Sequence, residues 1–211
     1  HLYDVFLHKR PLGIWGDYDV DGACASALWI QYCQHIGHPF HVYIPDRFKE
    51  GYGPNLKGMA ELHSKGVQDI VIVDCGSTAV DLLKKVACDG MSVIVIDHHK
   101  TQVEHPVCRA FINPQRWDFQ GPASLKTLCA GALVFLCLVG LNRFLREKGF
   151  SQVEVTGRTG DGGIDGKGIA KINGILSFHV VFQCKKYQSA VSAGHIRDFR
   201  GAMVGRTDKG L

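Results

Sequence analysis

The sequence lacks the features that would place it in a membrane or outside the cell. No signal peptide is visible, and the longest apolar run, 128–141, has 14 residues including two glycines, which is short for a membrane span. The eight cysteines include no CxxC pair and mostly stand in apolar surroundings. We therefore expect free thiols in a cytoplasmic protein without membrane contact, rather than a disulfide framework or a zinc site.

The chain also lacks a large excess of charge of either sign. The net charge is +4, and all of it lies in 151–211, which has 9 Lys+Arg against 5 Asp+Glu, whereas 1–150 has 15 of each. This small surplus favours a polyanionic partner only weakly. The 211 residues, 45% of them apolar, can bury the core of one or two domains. Because the sequence begins at His1 without Met, we expect a fragment of a longer protein.

Three aspartates alternate directly after the apolar run 12–15. Asp17, Asp19 and Asp21 stand at every second position, so an extended segment places them on one side. Like charges this close repel one another unless a cation lies among them, and carboxylate oxygens suit Mg²⁺ or Mn²⁺. A solvated acidic turn is an equally common explanation for such a motif on its own.

Two further acidic motifs follow runs that are typical of buried strands. Asp74 and Asp97 each end an apolar, β-branched run, and His98 and His99 come directly after Asp97. Strands alternating with helices along 12–112 predict an α/β fold with a doubly wound parallel sheet. In such sheets ligands bind at the carboxyl ends of the strands, so we expect the three motifs to converge.

The converging side chains predict a metal centre with two ions, Mn²⁺ or alternatively Mg²⁺. Two such ions can activate a water and stabilise the leaving oxygen of a phosphodiester. We expect Asp97 to orient an imidazole by accepting its N–H, and His99 to meet the phosphate or transfer a proton. The predicted metal ligands are Asp19, Asp21, Asp74 and His98.

The motifs at 16–22, 74–76 and 97–99 resemble those of the DHH phosphoesterases. The loop 47–53 and the segment 112–114 narrow the resemblance to the RecJ branch, which comprises single-strand-specific 5′→3′ DNA exonucleases.

By this resemblance Asp17 joins the metal site, and Arg47 and Tyr52 lie near the path of single-stranded DNA. The family's additional metal-binding Asp, its second DHH domain and its OB domain have no counterpart after Lys148, so the resemblance implies a truncated DHH core.

From residue 149 the character of the sequence changes. Asp165 stands in a glycine-dense stretch, and Gln183 and Lys185 share one face of the strand predicted over 178–187. An acid, an amide oxygen and a lysine can hold one Mg²⁺ at a phosphodiester, although Gln-x-Lys pairs are frequent by chance on exposed strands.

The strings 153–166, 182–187 and 196–203 resemble the Mrr-type restriction endonuclease domain, a PD-(D/E)xK variant with Gln in the usual acidic position. The resemblance implies a small, partial α/β segment that acts on duplex DNA, with Mg²⁺ at Asp165 and Gln183. The residues that it implies are catalytic Asp165, Gln183 and Lys185, and phosphate-contacting Arg197 and Arg200.

The sequence thus predicts a DHH domain over 1–148 and a restriction-endonuclease-like domain over 149–211, which meet in an amphipathic helix at 145–150. Recombination, assembly error and design are all open as origins of this junction. The favoured function is metal-dependent 5′→3′ hydrolysis of single-stranded DNA. The alternatives are hydrolysis of short oligonucleotides, type IV-like endonuclease action by the second domain, and an inactive fragment that binds nucleic acid.

Overall fold

The computed structural model describes residues 1–101 and 104–147, and the backbone of strands at 166–171, 177–182 and 209–210. The helices are α1 (Leu2–Leu7), α2 (Val20–His35), α3 (Leu56–Ser64), α4 (Val80–Cys88) and α5 (Ala130–Glu147), and a 3-10 helix at Ala123–Thr127 precedes α5. The strands are β1 (Leu12–Gly16), β2 (Phe40–Tyr43), β3 (Asp69–Val73), β4 (Ser92–Ile96), β5 (Ala110–Ile112), β6 (Gly166–Lys171), β7 (Ser177–Phe182) and β8 (Lys209–Gly210).

The chain divides into two compact units, His1–Leu138 and Val139–Leu211. The domain boundary expected at residue 148 stays a prediction. Among the described helices, none combines the length and the apolar character that a membrane span requires.

The first five strands form one parallel sheet in the order β2-β1-β3-β4-β5. α2 leads from β1 to β2 in one direction along the sheet, and α4 leads from β3 to β4 in the other. Because crossovers between parallel strands are right-handed, these two helices cover opposite faces. The predicted α/β fold with a doubly wound parallel sheet is confirmed.

The core of the first unit lies on the central strands. Every residue of β1 and β3 is buried, as the apolar runs predict for strands covered on both faces. The Trp15 ring stacks on Tyr43 of β2 with 4.5 Å between the ring centroids. α3 approaches this pair at Gly58, where an added Cβ would lie 2.4 Å from the Trp15 ring.

We predict that Gly58→Ala lowers the free energy of unfolding by about 1–2 kcal/mol, because the overpacking against the fixed Trp15 ring outweighs the gain in helix propensity. Urea denaturation measures the change. Gly140→Ala is the matched control, since an added Cβ there meets nothing within 4 Å and Ala is expected to stabilise α5 by about 0.5–1 kcal/mol. Equal effects of the two substitutions would contradict the packing argument.

Two elements differ from the sequence expectations. α1 was not expected, although Val5 and Phe6 are buried and attach it to the first unit. The long helix expected from Lys126 begins at Ala130, because the preceding residues form the 3-10 helix.

The described part of the second unit contains a three-stranded sheet in the order β6-β7-β8. β6 and β7 are antiparallel, and β7 and β8 are parallel. β7 ends at Phe182 in the described backbone, so the remainder of the strand predicted over 178–187 lies outside the described residues.

Candidate metal centre

The strand order reverses between β1 and β3, because the chain leaves these neighbouring strands in opposite directions. In open α/β sheets this is the point where ligands bind, at the carboxyl ends of the strands. Asp17 follows β1, Asp74 follows β3 and Asp97 follows β4. The fold therefore brings the three motifs to one edge of the sheet.

Three carboxylates meet at this edge. Asp17, Asp19 and Asp74 each offer one oxygen atom, and these atoms all lie within 4.8 Å of one another. Asp19 also caps α2, because its Oδ1 accepts a hydrogen bond from the Gly22 backbone N–H at 2.9 Å. Asp17 is buried, and its Oδ1 has no hydrogen-bond partner among the described residues. Burial, together with the neighbouring charge of Asp19, raises the pKa of Asp17.

Asp74 has a backbone conformation that side-chain-bearing residues rarely adopt, with φ at 61°. The residue is 1% exposed, and neither carboxylate oxygen has a hydrogen-bond partner within the described ranges. Burial raises the pKa of Asp74, and the charges of Asp21 and Asp19 raise it further. A buried carboxylate without donors is costly unless a cation neutralises it, so this arrangement favours binding of a cation.

A second cluster shares Asp74. Ligand atoms of Asp74, His98 and His99 lie within 4.8 Å of one another. His98 Nε2 lies 3.2 Å from Asp74 Oδ1, without the alignment of a hydrogen bond, and 3.5 Å from Asp21 Oδ2. The carboxylate of Asp74, and then that of Asp21, raises the pKa of His98. Oxygen and imidazole donors thus meet around one shared aspartate.

Asp97 fixes the His99 ring. Its Oδ1 lies 2.7 Å from His99 Nδ1, and because an ionised carboxylate only accepts, we place the imidazole proton on Nδ1. Backbone N–H groups of Ser77, His98 and His99 donate to the same carboxylate. Burial alone would raise the pKa of Asp97, but these donors outweigh it and lower the pKa to about 2. In turn Asp97 raises the pKa of His99 to about 9.

Ser77 and Asn113 take part in the site, although local sequence patterns predict no role for them. Asn113 Nδ2 donates to Ser77 Oγ at 2.8 Å and to the His99 backbone carbonyl at 2.9 Å. Both residues are buried. They fix the segments that follow β3, β4 and β5. The available signals for Asn113 are its position directly after a strand and its place in the motif at 112–114.

Asp21 binds the start of α5. Its Oδ2 accepts from the Ala130 backbone N–H at 2.7 Å, and its Oδ1 accepts from Gly131 N–H at 2.8 Å. Among the described residues, Asp21 belongs to neither three-ligand cluster, although His98 lies close to it. Its role as a metal ligand stays a prediction, and the structure shows it as the cap of a helix that begins 109 residues later.

Arg47 and Tyr52 both contact residues of the acidic motifs. The guanidinium carbon of Arg47 lies 5.5 Å from the centroid of the Tyr18 ring, between Asp17 and Asp19 in sequence. The Tyr52 hydroxyl donates to the Asp74 backbone carbonyl at 3.3 Å and lies 3.2 Å from His99 Nδ1. The loop after β2 thus contacts all three acidic motifs.

Residues 11–156 match the family model described as the N-terminal domain of the DHH family. The chain belongs to the DHH family. Residues 140–211 match a second family model, described as a restriction endonuclease. This is therefore a RecJ-like DHH protein with a partial restriction-endonuclease-like segment. The residues predicted for that segment lie outside the described ranges: Asp165, Gln183, Lys185, Arg197 and Arg200.

Two curated DHH relatives carry the description single-stranded-DNA-specific exonuclease RecJ. The Bacillus subtilis protein is 39% identical over 115 residues, which cover 54% of this chain and 15% of the relative. The Escherichia coli protein is 33% identical over 150 residues, which cover 71% of this chain and 26% of the relative. The chain thus spans about a quarter or less of the length of these relatives.

Solved structures show the same fold. A crystal structure of exonuclease RecJ bound to manganese has a TM-score of 0.60 and 27% identity, and covers 68% of this chain and 36% of that one. RecJ from Thermus thermophilus in complex with Mn²⁺ has a TM-score of 0.55 and 25% identity, and covers 69% of this chain and 20% of that one.

The residues of this DHH chain fit Mn²⁺ or Mg²⁺. The unpartnered oxygens of Asp74 and Asp17 are donors that a cation would satisfy, and the combination of carboxylates with imidazoles suits Mn²⁺. Two ligand clusters that share Asp74 can accommodate two ions.

Proposed function

We propose that this chain hydrolyses phosphodiester bonds of single-stranded DNA from the 5′ end, with two Mn²⁺ or Mg²⁺ ions at the centre. The observation that carries the proposal is the pair of ligand clusters that share the buried Asp74, whose carboxylate accepts no hydrogen bond from the described residues. The similarity to single-stranded-DNA-specific exonucleases supports the choice of single-stranded DNA as the substrate. The similarity to DNA exonucleases of Bacillus subtilis and Escherichia coli supports a cytoplasmic location.

The side chains of the centre bind the ions and orient the phosphate of the substrate. When bound, the ions supply positive charge that neutralises phosphate oxygens and favours ionisation of the attacking water. Arg47, beside Tyr18, is placed to contact a backbone phosphate. The residues proposed to hold the ions are Asp17, Asp19, Asp21, Asp74 and His98.

His99 and Asp97 are proposed to supply the proton that the leaving oxygen takes up. In hydrolysis the water oxygen forms a new bond to phosphorus, the phosphorus–oxygen bond to the departing nucleotide breaks, and that oxygen takes up a proton. Because Asp97 raises the pKa of the His99 imidazole, His99 is suited to transfer this proton, or to donate a hydrogen bond, to the phosphate. Asp97 orients the ring and keeps the proton available.

The test is digestion of a single strand labelled at its 5′ end, with and without Mn²⁺. We expect loss of the label as mononucleotide, no digestion of a circular single strand, and more than about 100-fold loss of rate in Asp74→Asn. Asp89→Asn, an exposed substitution beyond α4, is the control and should retain the rate. Equal digestion with and without a chelator would contradict the proposal.

A second activity is proposed for the restriction-endonuclease-like domain, 149–211, on duplex DNA with Mg²⁺ at Asp165 and Gln183. The family match of residues 140–211 supports it. Nicking of a closed circular duplex, which offers no ends to an exonuclease, tests it, and Lys185→Ala should abolish the nicking.

A further inference from the structure

The turn between β2 and α3 presents an aromatic ring to solvent. Phe48 is 94% exposed, more than any other large apolar residue of the described part of the chain. An isolated exposed ring needs no explanation in general. What distinguishes Phe48 is the rigidity of its turn and the attachment of that turn to the metal centre.

Asp46 and Glu50 make the turn rigid. The Asp46 carboxylate accepts from the backbone N–H of Phe48 at 2.9 Å and of Lys49 at 3.3 Å. The Glu50 carboxylate accepts from the Tyr43 hydroxyl at 2.6 Å and from Asn55 and Lys57. A ring on such a turn is preorganised, so a ligand that covers it has little conformational entropy to overcome.

Residues on both sides of the ring contact the acidic motifs that contain the proposed ligands. Arg47 precedes Phe48 and lies over the Tyr18 ring. Tyr52 follows four positions later and contacts His99 and the Asp74 backbone. Four residues span at most about 14 Å, and a stacked strand advances about 3.4 Å per nucleotide. The Phe48 backbone thus lies within about four nucleotide lengths of the Tyr52 backbone, whose side chain contacts the centre.

We propose that Phe48 stacks on an unpaired base of the substrate strand and so selects single-stranded DNA. The inference rests on the function proposed above. Lys49 Nζ is paired with Asp46 Oδ2 at 3.3 Å, so the guanidinium of Arg47 is the charge beside the ring that favours a polyanion as the occupant. Every base offers a face to an aromatic ring. In a duplex the faces of all bases except those of the terminal pair are covered by their neighbours, so beyond the end pair only an unpaired strand can make this contact.

The experiment measures binding of a short, 5′-phosphorylated thymidine oligonucleotide with phosphorothioate linkages, by fluorescence anisotropy in Mn²⁺. A matched oligonucleotide lacks the bases of its second to fifth nucleotides. We expect Phe48→Ala to weaken binding of the base-bearing strand by roughly tenfold and to leave binding of the abasic strand unchanged. Phe48→Trp should retain the affinity.

Leu7→Ala is the control, because Leu7 is 50% exposed on α1 and lies outside the site; it should change neither affinity. If Phe48→Ala weakens both strands equally, or neither, the stacking inference is overturned while the proposed function stands. If the wild-type chain binds neither strand, the inference and the proposed function both fail. Thermal unfolding should show the same midpoint for Phe48→Ala and wild type, since the exposed ring contributes little packing.

Discussion

Asp74→Asn is expected to stabilise the metal-free protein and to abolish its stabilisation by Mn²⁺. The folded-state pKa of Asp74 is raised above its unfolded value, so ionising this group opposes folding as the pH rises above about 4. A neutral amide removes that cost, and Asn tolerates positive φ as well as Asp does. The lost contact with His98 offsets part of the gain, which leaves a net increase of about 1–2 kcal/mol at neutral pH.

The effect of Mn²⁺ on the Tm is expected to be larger than the effect of the substitution on the metal-free protein. An ion at a hundredfold excess over its dissociation constant stabilises the wild-type chain by about 2.7 kcal/mol, which raises the Tm by about 5–10 °C. In Asp74→Asn both ligand clusters lose their shared member, so Mn²⁺ should leave the Tm unchanged. Scanning calorimetry in chelator and in Mn²⁺ measures both effects. A Mn²⁺ shift of the same size in the variant would show that the ions bind elsewhere.

Asp97→Asn is expected to lower the free energy of unfolding by about 3 kcal/mol near pH 6, because one accepting oxygen becomes an NH₂ group that faces donors. The half-exposed His99 keeps part of its solvation, which limits the electrostatic share of this loss. Urea denaturation in chelator, without bound ions, measures the difference.

The pH dependence follows from the two pKa shifts. The pKa of Asp97 is lowered to about 2, so its contribution is present above about pH 4 and is lost as the pH falls through about 2. The pKa of His99 is raised to about 9, so its contribution is present below about pH 6.5 and is lost as the pH rises through about 9. The difference in the free energy of unfolding between wild type and Asp97→Asn should therefore be largest between about pH 4 and 6.5 and smaller at pH 10. A gap that grows towards pH 10 would contradict the assignment of the ion pair.

The acidic motifs could be located from the sequence because a parallel sheet brings its strand ends together whatever the intervening chain does. The apolar runs that precede Asp17, Asp74 and Asp97 are enough to place these residues at the ends of strands. Ser77 and Asn113 could not be assigned, because their role depends on a hydrogen bond between residues 36 positions apart. Such pairing depends on the register of β3 to β5, which periodicity does not give.

The contacts of Asp21 also could not be predicted from the local sequence, because they join residues far apart in the chain. The sequence marks it as an acid on the same side as Asp17 and Asp19, but nothing local indicates that a helix beginning at Ala130 would donate to both of its oxygens. α1 was missed because six residues are too few for a helical period to emerge. The 3-10 helix before α5 was merged with α5 because its residues also favour helix.

Both carboxylate oxygens of Asp21 accept hydrogen bonds from α5, which links the stability of this helix to cation binding at the same carboxylate. Two backbone amides of α5 already share its negative charge, and His98, a predicted metal ligand, lies 3.5 Å away. If a cation binds the Asp21 carboxylate, it competes with the two amides for the carboxylate oxygens. Cation binding and formation of these hydrogen bonds then affect each other reciprocally. Whatever loosens the first turn of α5 would then alter ion affinity, and ion binding would alter hydrogen-exchange protection at Ala130 and Gly131.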